Sequence, residues 1–75
     1  MLTVEQIKAA AKEVKPIADR PGVFFLKPSV EIVEISTGKI FHAEKVDEWG
    51  KFANSIYLEE RAFYWPIRSF RLKSE

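Results

Sequence analysis

The stretch VEIVEISTGKIFHA, residues 30–43, decides the fold predicted from this sequence. Two runs rich in β-branched and apolar residues, 30–35 and 39–43, flank the loop 36–38, which reads Ser-Thr-Gly. A type I turn closed by a glycine in the left-handed region is a common three-residue connection between antiparallel strands. The pattern therefore predicts a β-hairpin with Gly38 at positive φ.

A three-residue loop also fixes which residues face each other across the hairpin. It would place Val33 opposite Phe41 and Glu34 opposite Ile40. One face of the hairpin would then carry Val30, Ile32, Glu34, Ile40 and His42. Both faces are partly apolar, whereas an antiparallel sheet packed on one side only alternates more cleanly. We therefore expect this face to be available to a partner, unless residues 55–62 or the C-terminal tail cover it.

On the N-terminal side of the hairpin, Thr3 and Gln6 have the spacing of a capping box, which predicts the start of a helix. Pro16 should end that helix near Lys15, because the residue before a proline avoids the α region. A short apolar strand is expected over 23–26.

On the C-terminal side, residues 44–54 predict a second helix, with acidic residues in its first turns where the helix dipole favours them. Residues 55–62 fit either an extension of that helix or a loop. Alternating apolar residues over 63–72 predict a last strand. Pro66 places it at a sheet edge, and the change of alternation near 68–69 is typical of a β-bulge.

These elements predict one α+β domain over residues 1–75, in the order α-β-β-β-α-β. We expect a small, mostly antiparallel sheet of three or four strands with two helices packed on one face. The chain has no cysteine and no apolar run of membrane-spanning length, and Glu5 stands where a signal peptide would be basic. A cytoplasmic location is the expectation.

Catalytic and cofactor signals are nearly absent from the sequence. The three glycines are isolated, so there is no phosphate-binding loop, and His42 is the only histidine. A general acid–base pair of His42 with Glu34 is conceivable, but nothing in the spacing singles it out. We expect no enzymatic activity, no cofactor and no metal site.

A small protein-binding module is the function that the sequence favours, with a protein or a second copy of the chain as partner. Aromatic and arginine side chains near an edge strand have the composition of interface hot spots. The candidate contact residues are Val30, Ile32, Glu34, Ile40, His42, Tyr64, Trp65, Arg68, Phe70 and Arg71. The alternative is a nucleic-acid-binding accessory protein, because residues 63–73 interleave rings with cations.

The charges along the chain also bear on this choice. Residues 44–60 hold five acidic and two basic side chains, and residues 61–73 hold four basic and no acidic ones. We expect the two segments to complement each other, within one chain or between two copies. In size, lack of cysteine and the predicted strand–turn–strand–helix unit over 30–55, the chain resembles small phage and mobile-element proteins that inhibit host enzymes or defence complexes.

Overall fold

The structure is a computed structural model that describes residues 1–74. Within that range there is one short α-helix, and six antiparallel strands form a single sheet. The helix is α1 (Val4–Ala10) and the strands are β1 (Glu13–Pro16), β2 (Val23–Glu34), β3 (Ile40–Asp47), β4 (Ser55–Leu58), β5 (Phe63–Pro66) and β6 (Phe70–Leu72). A 3-10 turn, Ile67–Ser69, precedes β6.

The long strand β2 organises the sheet, whose order is β1-β2-β3-β4-β5. Its first half pairs with β1, and its last three residues pair with β6. Because β6 follows β5 after a single 3-10 turn, the chain leaves one end of the sheet and returns to β2. The sheet therefore curls around one core. The pairing of β2 with β3 is interrupted between Phe25 and Val30, where Pro28 has no N–H to donate.

The inner face of the curled sheet and one side of α1 form a continuous hydrophobic core. Alternate residues of each strand point inward, as the twofold period of a strand requires. The core consists of Leu2, Val4, Ile7, Leu26, Val30, Ile32, Phe41, Ala43, Val46, Ile56, Leu58, Ile67 and Phe70. Each fully buried Val, Leu, Ile or Phe stabilises the fold by about 1.5–3 kcal/mol relative to an exposed one.

The predicted α+β class with two helices is wrong, because residues 44–54 do not form a helix. Residues 45–47 instead continue β3, where Lys45, Val46 and Asp47 face Phe25, Phe24 and Val23 of β2. Pairing with strands on both sides outweighs the helical spacing of the apolar residues. Trp49, which would share one side of such a helix with Val46, is 63% exposed in the loop that follows β3.

The first helix starts as predicted but ends earlier. The Gln6 N–H donates to Thr3 Oγ1 at 3.1 Å and the Thr3 N–H donates to Gln6 Oε1 at 2.9 Å, which completes the capping box. The helix ends at Ala10, and residues 13–16 leave it to pair with β2 as β1. Val14 packs against the core from this strand rather than from a helix.

The hairpin is confirmed, with Gly38 at a φ of 75°, but its register differs by one residue from the prediction. The Gly38 N–H donates to the Glu34 carbonyl, so the loop has four residues, 35–38, rather than three. Ile32 therefore faces Phe41 and Val33 faces Ile40. A slip of one residue moves a strand's partners to the other face of the sheet.

Residues 55–62 are neither the helix extension nor the loop that the sequence left as alternatives. Residues 55–58 form β4 and residues 59–62 turn into β5, so no helix continues here. Pro66 ends β5, which is the edge of the sheet path, as predicted. The change of alternation near 68–69 comes from the 3-10 turn and not from a β-bulge.

Candidate functional site

The hairpin residues predicted to form one face lie on both faces of the sheet, with Val30 and Ile32 inside and Ile40 and His42 outside. Val30, Ile32 and Phe70 belong to the core, and Ile32 has no exposed surface. Glu34, at 9% exposure, is also buried. Ile40 alone among the apolar members of that face is well exposed, at 46%.

Glu34 is held as a structural carboxylate at the end of β2. The Thr37 hydroxyl donates to it at 2.7 Å and the Arg61 guanidinium at 3.1 Å. The hydrogen bond from Thr37 lowers the pKa of Glu34 most, burial opposes that shift, and Arg61 lowers the pKa further. Arg61 also covers the rings of Phe41 and Trp65, at 4.4 and 4.6 Å from their centres. Trp65 therefore packs against Arg61, and the Glu34 carboxylate is already paired with Thr37 and Arg61 within the fold.

His42 lies on the outer surface of β3 next to a turn rich in acids. Its Nδ1 is 2.5 Å from a carboxylate oxygen of Glu60, and its Nε2 is 3.8 Å from Glu31. The hydrogen bond to Glu60 raises the pKa of His42 above its usual value. The His42 N–H donates to the same carboxylate, so this contact ties the turn 59–62 to β3.

The acidic and basic segments find several of their partners elsewhere. Glu48 pairs with Lys8 at 2.6 Å, and Lys73 pairs with Glu31 at 3.5 Å. Arg68 and Arg71 lie at the end of the chain, on the 3-10 turn and on β6, and both are exposed. The segment 44–60 does not present the acidic helix expected from the sequence.

A row of two cations and three rings crosses the outer face of the sheet. Lys15, Phe25, Lys45, Tyr57 and Tyr64 face one another in successive registers from β1 to β5. Several of their chain neighbours point the other way and belong to the core: Leu26, Val46, Ile56 and Leu58. We call these five residues the outer row; of them, the sequence analysis named only Tyr64.

Lysine and aromatic side chains of the outer row are in direct contact. Lys45 Nζ lies 4.6 Å from the centre of the Tyr57 ring and 5.3 Å from that of Phe25. Tyr57 and Tyr64 meet edge to face, with ring centres 5.3 Å apart. The contacts of Lys45 hold its ammonium group near the faces of two rings. The rings of Phe25, Tyr57 and Tyr64 are all partly exposed.

The loop 48–54 brings a further ring to the end of the outer row. Phe52 stacks on Tyr64 with ring centres 5.0 Å apart and an angle of 19° between the planes. Phe63 meets Phe52 edge to face at 6.0 Å and is 57% exposed. The aromatic surface therefore continues past Tyr64 onto a loop.

A buried carboxylate fixes the position of that loop. Asp47 is 1% exposed and accepts the N–H groups of Gly50 and Phe52. A side chain on Gly50 would place Cβ within 2.9 Å of both Asp47 oxygens and of the Pro21 carbonyl oxygen. Only glycine fits this close approach, so loops 17–22 and 48–54 lie backbone against backbone over the sheet.

An open cleft of about 430 Å³ lies between these two loops, beside the outer row. Its lining residues are Asp19, Arg20, Pro21, Val23, Asp47, Lys51, Phe52 and Tyr64. Burial raises the pKa of the Tyr64 hydroxyl, the charge of Asp47 raises it further, and that of Arg20 lowers it. The Tyr64 hydroxyl is therefore a neutral hydrogen-bonding group at neutral pH.

Comparison with protein-family models, with curated proteins and with solved structures found no match. No α-helix among residues 1–74 combines the length and the apolar character needed to cross a membrane. In the same range, no group of His, Asp and Glu side chains is arranged to hold a metal ion. The outer row and the cleft beside it are the surface whose chemistry points to a ligand.

Proposed function

We propose that this protein binds single-stranded nucleic acid across the outer row, in the cytoplasm and without catalysing a reaction. The observation that carries the proposal is the register Lys15–Phe25–Lys45–Tyr57–Tyr64, which places two cations and three rings side by side over five strands. Proteins that bind single strands stack bases on aromatic side chains and hold the phosphates with cations.

The size of the surface suits a short stretch of nucleic acid. Neighbouring strands lie about 4.8 Å apart, so five strands span roughly 20 Å along the curled sheet. Phe52 adds a ring at the Tyr64 end. Because every base has a flat face, a surface of this kind binds different sequences with similar affinity.

The distribution of charge favours an anionic partner on this face, although the net charge is only +1. Lys27 is close to the Phe25 ring, at 5.9 Å, and Lys51 is close to the Phe52 ring, at 5.6 Å. Arg20 lies in the adjacent cleft. Glu13, 3.5 Å from Lys15, and the cleft residues Asp19 and Asp47 offset part of this charge.

The proposal changes the preference drawn from the sequence, which favoured a protein partner. That preference depended on an uncovered face with Val30 and Ile32, and both residues are in the core. The strand–turn–strand–helix unit behind the resemblance to phage inhibitors is also absent, because residues 48–54 are a loop. Binding of a protein, as an inhibitor or as a homodimer, is the alternative function that a negative test would favour.

The test measures the fluorescence anisotropy of a labelled 12-nucleotide oligothymidine titrated with the protein across a salt series. We expect binding that weakens steeply with salt, because phosphate contacts release counterions. Lys45→Ala should weaken it, while Lys39→Ala, at the hairpin tip and outside the row, should not. Absence of binding at low salt, with an unchanged protein spectrum, would overturn the proposal and favour a protein partner.

A further inference from the structure

We propose that the cleft between loops 17–22 and 48–54 selects a guanine base from the bound strand. This inference rests on the proposed binding of single-stranded nucleic acid and names the base that one position of that site prefers. The cleft, at about 430 Å³, falls in the lower part of the range of roughly 300–1,000 Å³ found for small-molecule sites.

The cleft opens onto the same face of the sheet as the outer row. Val23 and Asp47, which line it, face each other one step along the outer side from Phe25 and Lys45. Tyr64 belongs to both the outer row and the lining of the cleft. A strand lying across the outer row can therefore place one of its bases in the cleft without leaving the surface.

Stacking in the cleft is provided by a ring that is already in position. Phe52 is 37% exposed, and one of its faces is supported by Tyr64 at 5.0 Å. Its main-chain N–H is held by Asp47 at 2.8 Å. A ring fixed in this way loses little conformational entropy when a base stacks on it. Lys51, 5.6 Å from the ring centre, is an exposed and flexible side chain able to move to a phosphate.

The polar groups of the cleft, a guanidinium and a carboxylate, complement the acceptors and donors that guanine presents. Guanine carries two acceptors, O6 and N7, beside donors on N1 and N2. Arginine donates to O6 and N7 as a pair, and a carboxylate accepts from ring and amino N–H groups. Arg20 and Asp19 are adjacent in the 17–22 loop and both line the cleft. Asp47 already accepts two loop N–H groups, so Asp19 is the carboxylate assigned to the base.

The experiment compares labelled 12-nucleotide oligothymidine with the same strand carrying a single guanine at its centre. We expect the guanine strand to bind the unaltered protein about five- to tenfold more tightly, the lower part of the discrimination that one bidentate contact provides. Replacing the guanine by inosine, which lacks the N2 amino group, should remove part of this preference. Asp19→Asn should remove most of this preference, because an amide has only one oxygen to accept the N1 and N2 hydrogens of guanine.

Lys45→Ala is the matched control, because it should weaken both strands by the same factor and leave their ratio intact. Equal affinities for the guanine, inosine and thymidine strands would overturn the guanine inference, while the proposed single-strand binding would stand. A guanine preference that survives both Asp19→Asn and Arg20→Ala would also overturn it, because the cleft would not be its source. If no strand binds, both proposals fail together.

Discussion

The side-chain carboxylate of Asp47 accepts the main-chain N–H of Phe52 at 2.8 Å, from a position almost completely closed to solvent. The same carboxylate accepts the N–H of Gly50, and the Asp47 carbonyl accepts that of Asn54 at 2.8 Å. One residue at the end of β3 therefore fixes the loop that carries a ring of the candidate site. The stability of the fold and the position of the Phe52 ring are therefore linked through Asp47.

Replacing Asp47 by alanine should lower the free energy of unfolding by about 2–3 kcal/mol, because two N–H groups lose their buried acceptor. Asp47→Asn keeps one acceptor oxygen and should cost less. Urea denaturation followed by tryptophan fluorescence would measure both. Asp19→Ala, an exposed acid of the facing loop, should change stability by no more than about 0.5 kcal/mol. A loss in Asp47→Ala no larger than in this control would contradict the role given to the carboxylate.

Gly38 provides a second test of the fold, at the tip of the hairpin. Its φ of 75° is unfavourable for a side chain, yet a Cβ at this position would meet no other atom within 4 Å. Gly38→Ala should therefore cost about 1 kcal/mol from backbone strain alone. Gly38→Asn should cost less, since asparagine tolerates the left-handed region. Equal melting temperatures for alanine and glycine at this position would argue against the turn.

The contact between His42 and Glu60 should make stability depend on pH. The pKa of His42 is raised from 6.5, so its contribution is complete below 6.5 and is lost as pH rises through the higher value of the folded state. Burial works to raise the pKa of Glu60, but hydrogen bonds from the His42 side chain and from main-chain N–H groups, with the charge of His42, together lower it from 4.5. The contribution of Glu60 to stability is therefore complete above pH 4.5 and is lost as the pH falls through the lower pKa of the folded state.

The contribution of this pair should be greatest between pH 4.5 and 6.5, the usual values of the two groups. Both side chains are more than a third exposed, so solvent keeps the effect below about 1 kcal/mol. The charges of Glu59 and Glu31 also raise the pKa of His42, and Lys73 lies 3.5 Å from Glu31. His42→Asn should flatten the melting temperature between pH 5.5 and 8. A decline as steep as that of the unaltered protein would exclude His42 as its source.

Local signals in the sequence predicted local structure. Thr3 and Gln6 specified the helix start, and the loop ending in Gly38 specified the hairpin, because each depends only on residues close in the chain. The prediction of a second helix was wrong for the opposite reason. Val46 and Trp49 have helical spacing, but pairing with β2 and β4 places Val46 in a strand. No short-range pattern contains that pairing.

The candidate site was harder to predict, because the outer row takes one residue from each of five strands. Its assembly requires four registers to be correct, and a shift of one residue in any of them exchanges the exposed and buried faces. The sequence predicted nucleic-acid contacts only in residues 63–73, where rings and cations lie close together along the chain. Tyr64 was found in this way, whereas Lys45 and Tyr57 lie in segments whose strands were not foreseen.

The outer row can be dissected into its electrostatic and stacking parts by a salt series. For a single strand, each phosphate contact contributes about 0.7 to the slope of log affinity against log salt. Lys45→Gln removes one cation of the row and should reduce the slope by about that amount. Tyr57→Leu keeps the apolar bulk but removes a flat ring. Stacking contributes about 1–3 kcal/mol per base, so this variant should bind more weakly at every salt concentration with the slope unchanged.

Both variants need controls for preserved folding and for the general effect of removing a positive charge. Lys39→Gln removes a cation at the hairpin tip, away from the outer row, and should change neither the slope nor the affinity. Circular dichroism and thermal unfolding of all three variants would show whether the sheet is preserved. If Lys39→Gln reduces the slope as much as Lys45→Gln does, the binding is diffuse and the outer row is not its site. If Tyr57→Leu leaves the affinity unchanged, bases do not stack on this face, because a ring in contact with them could not be lost without effect.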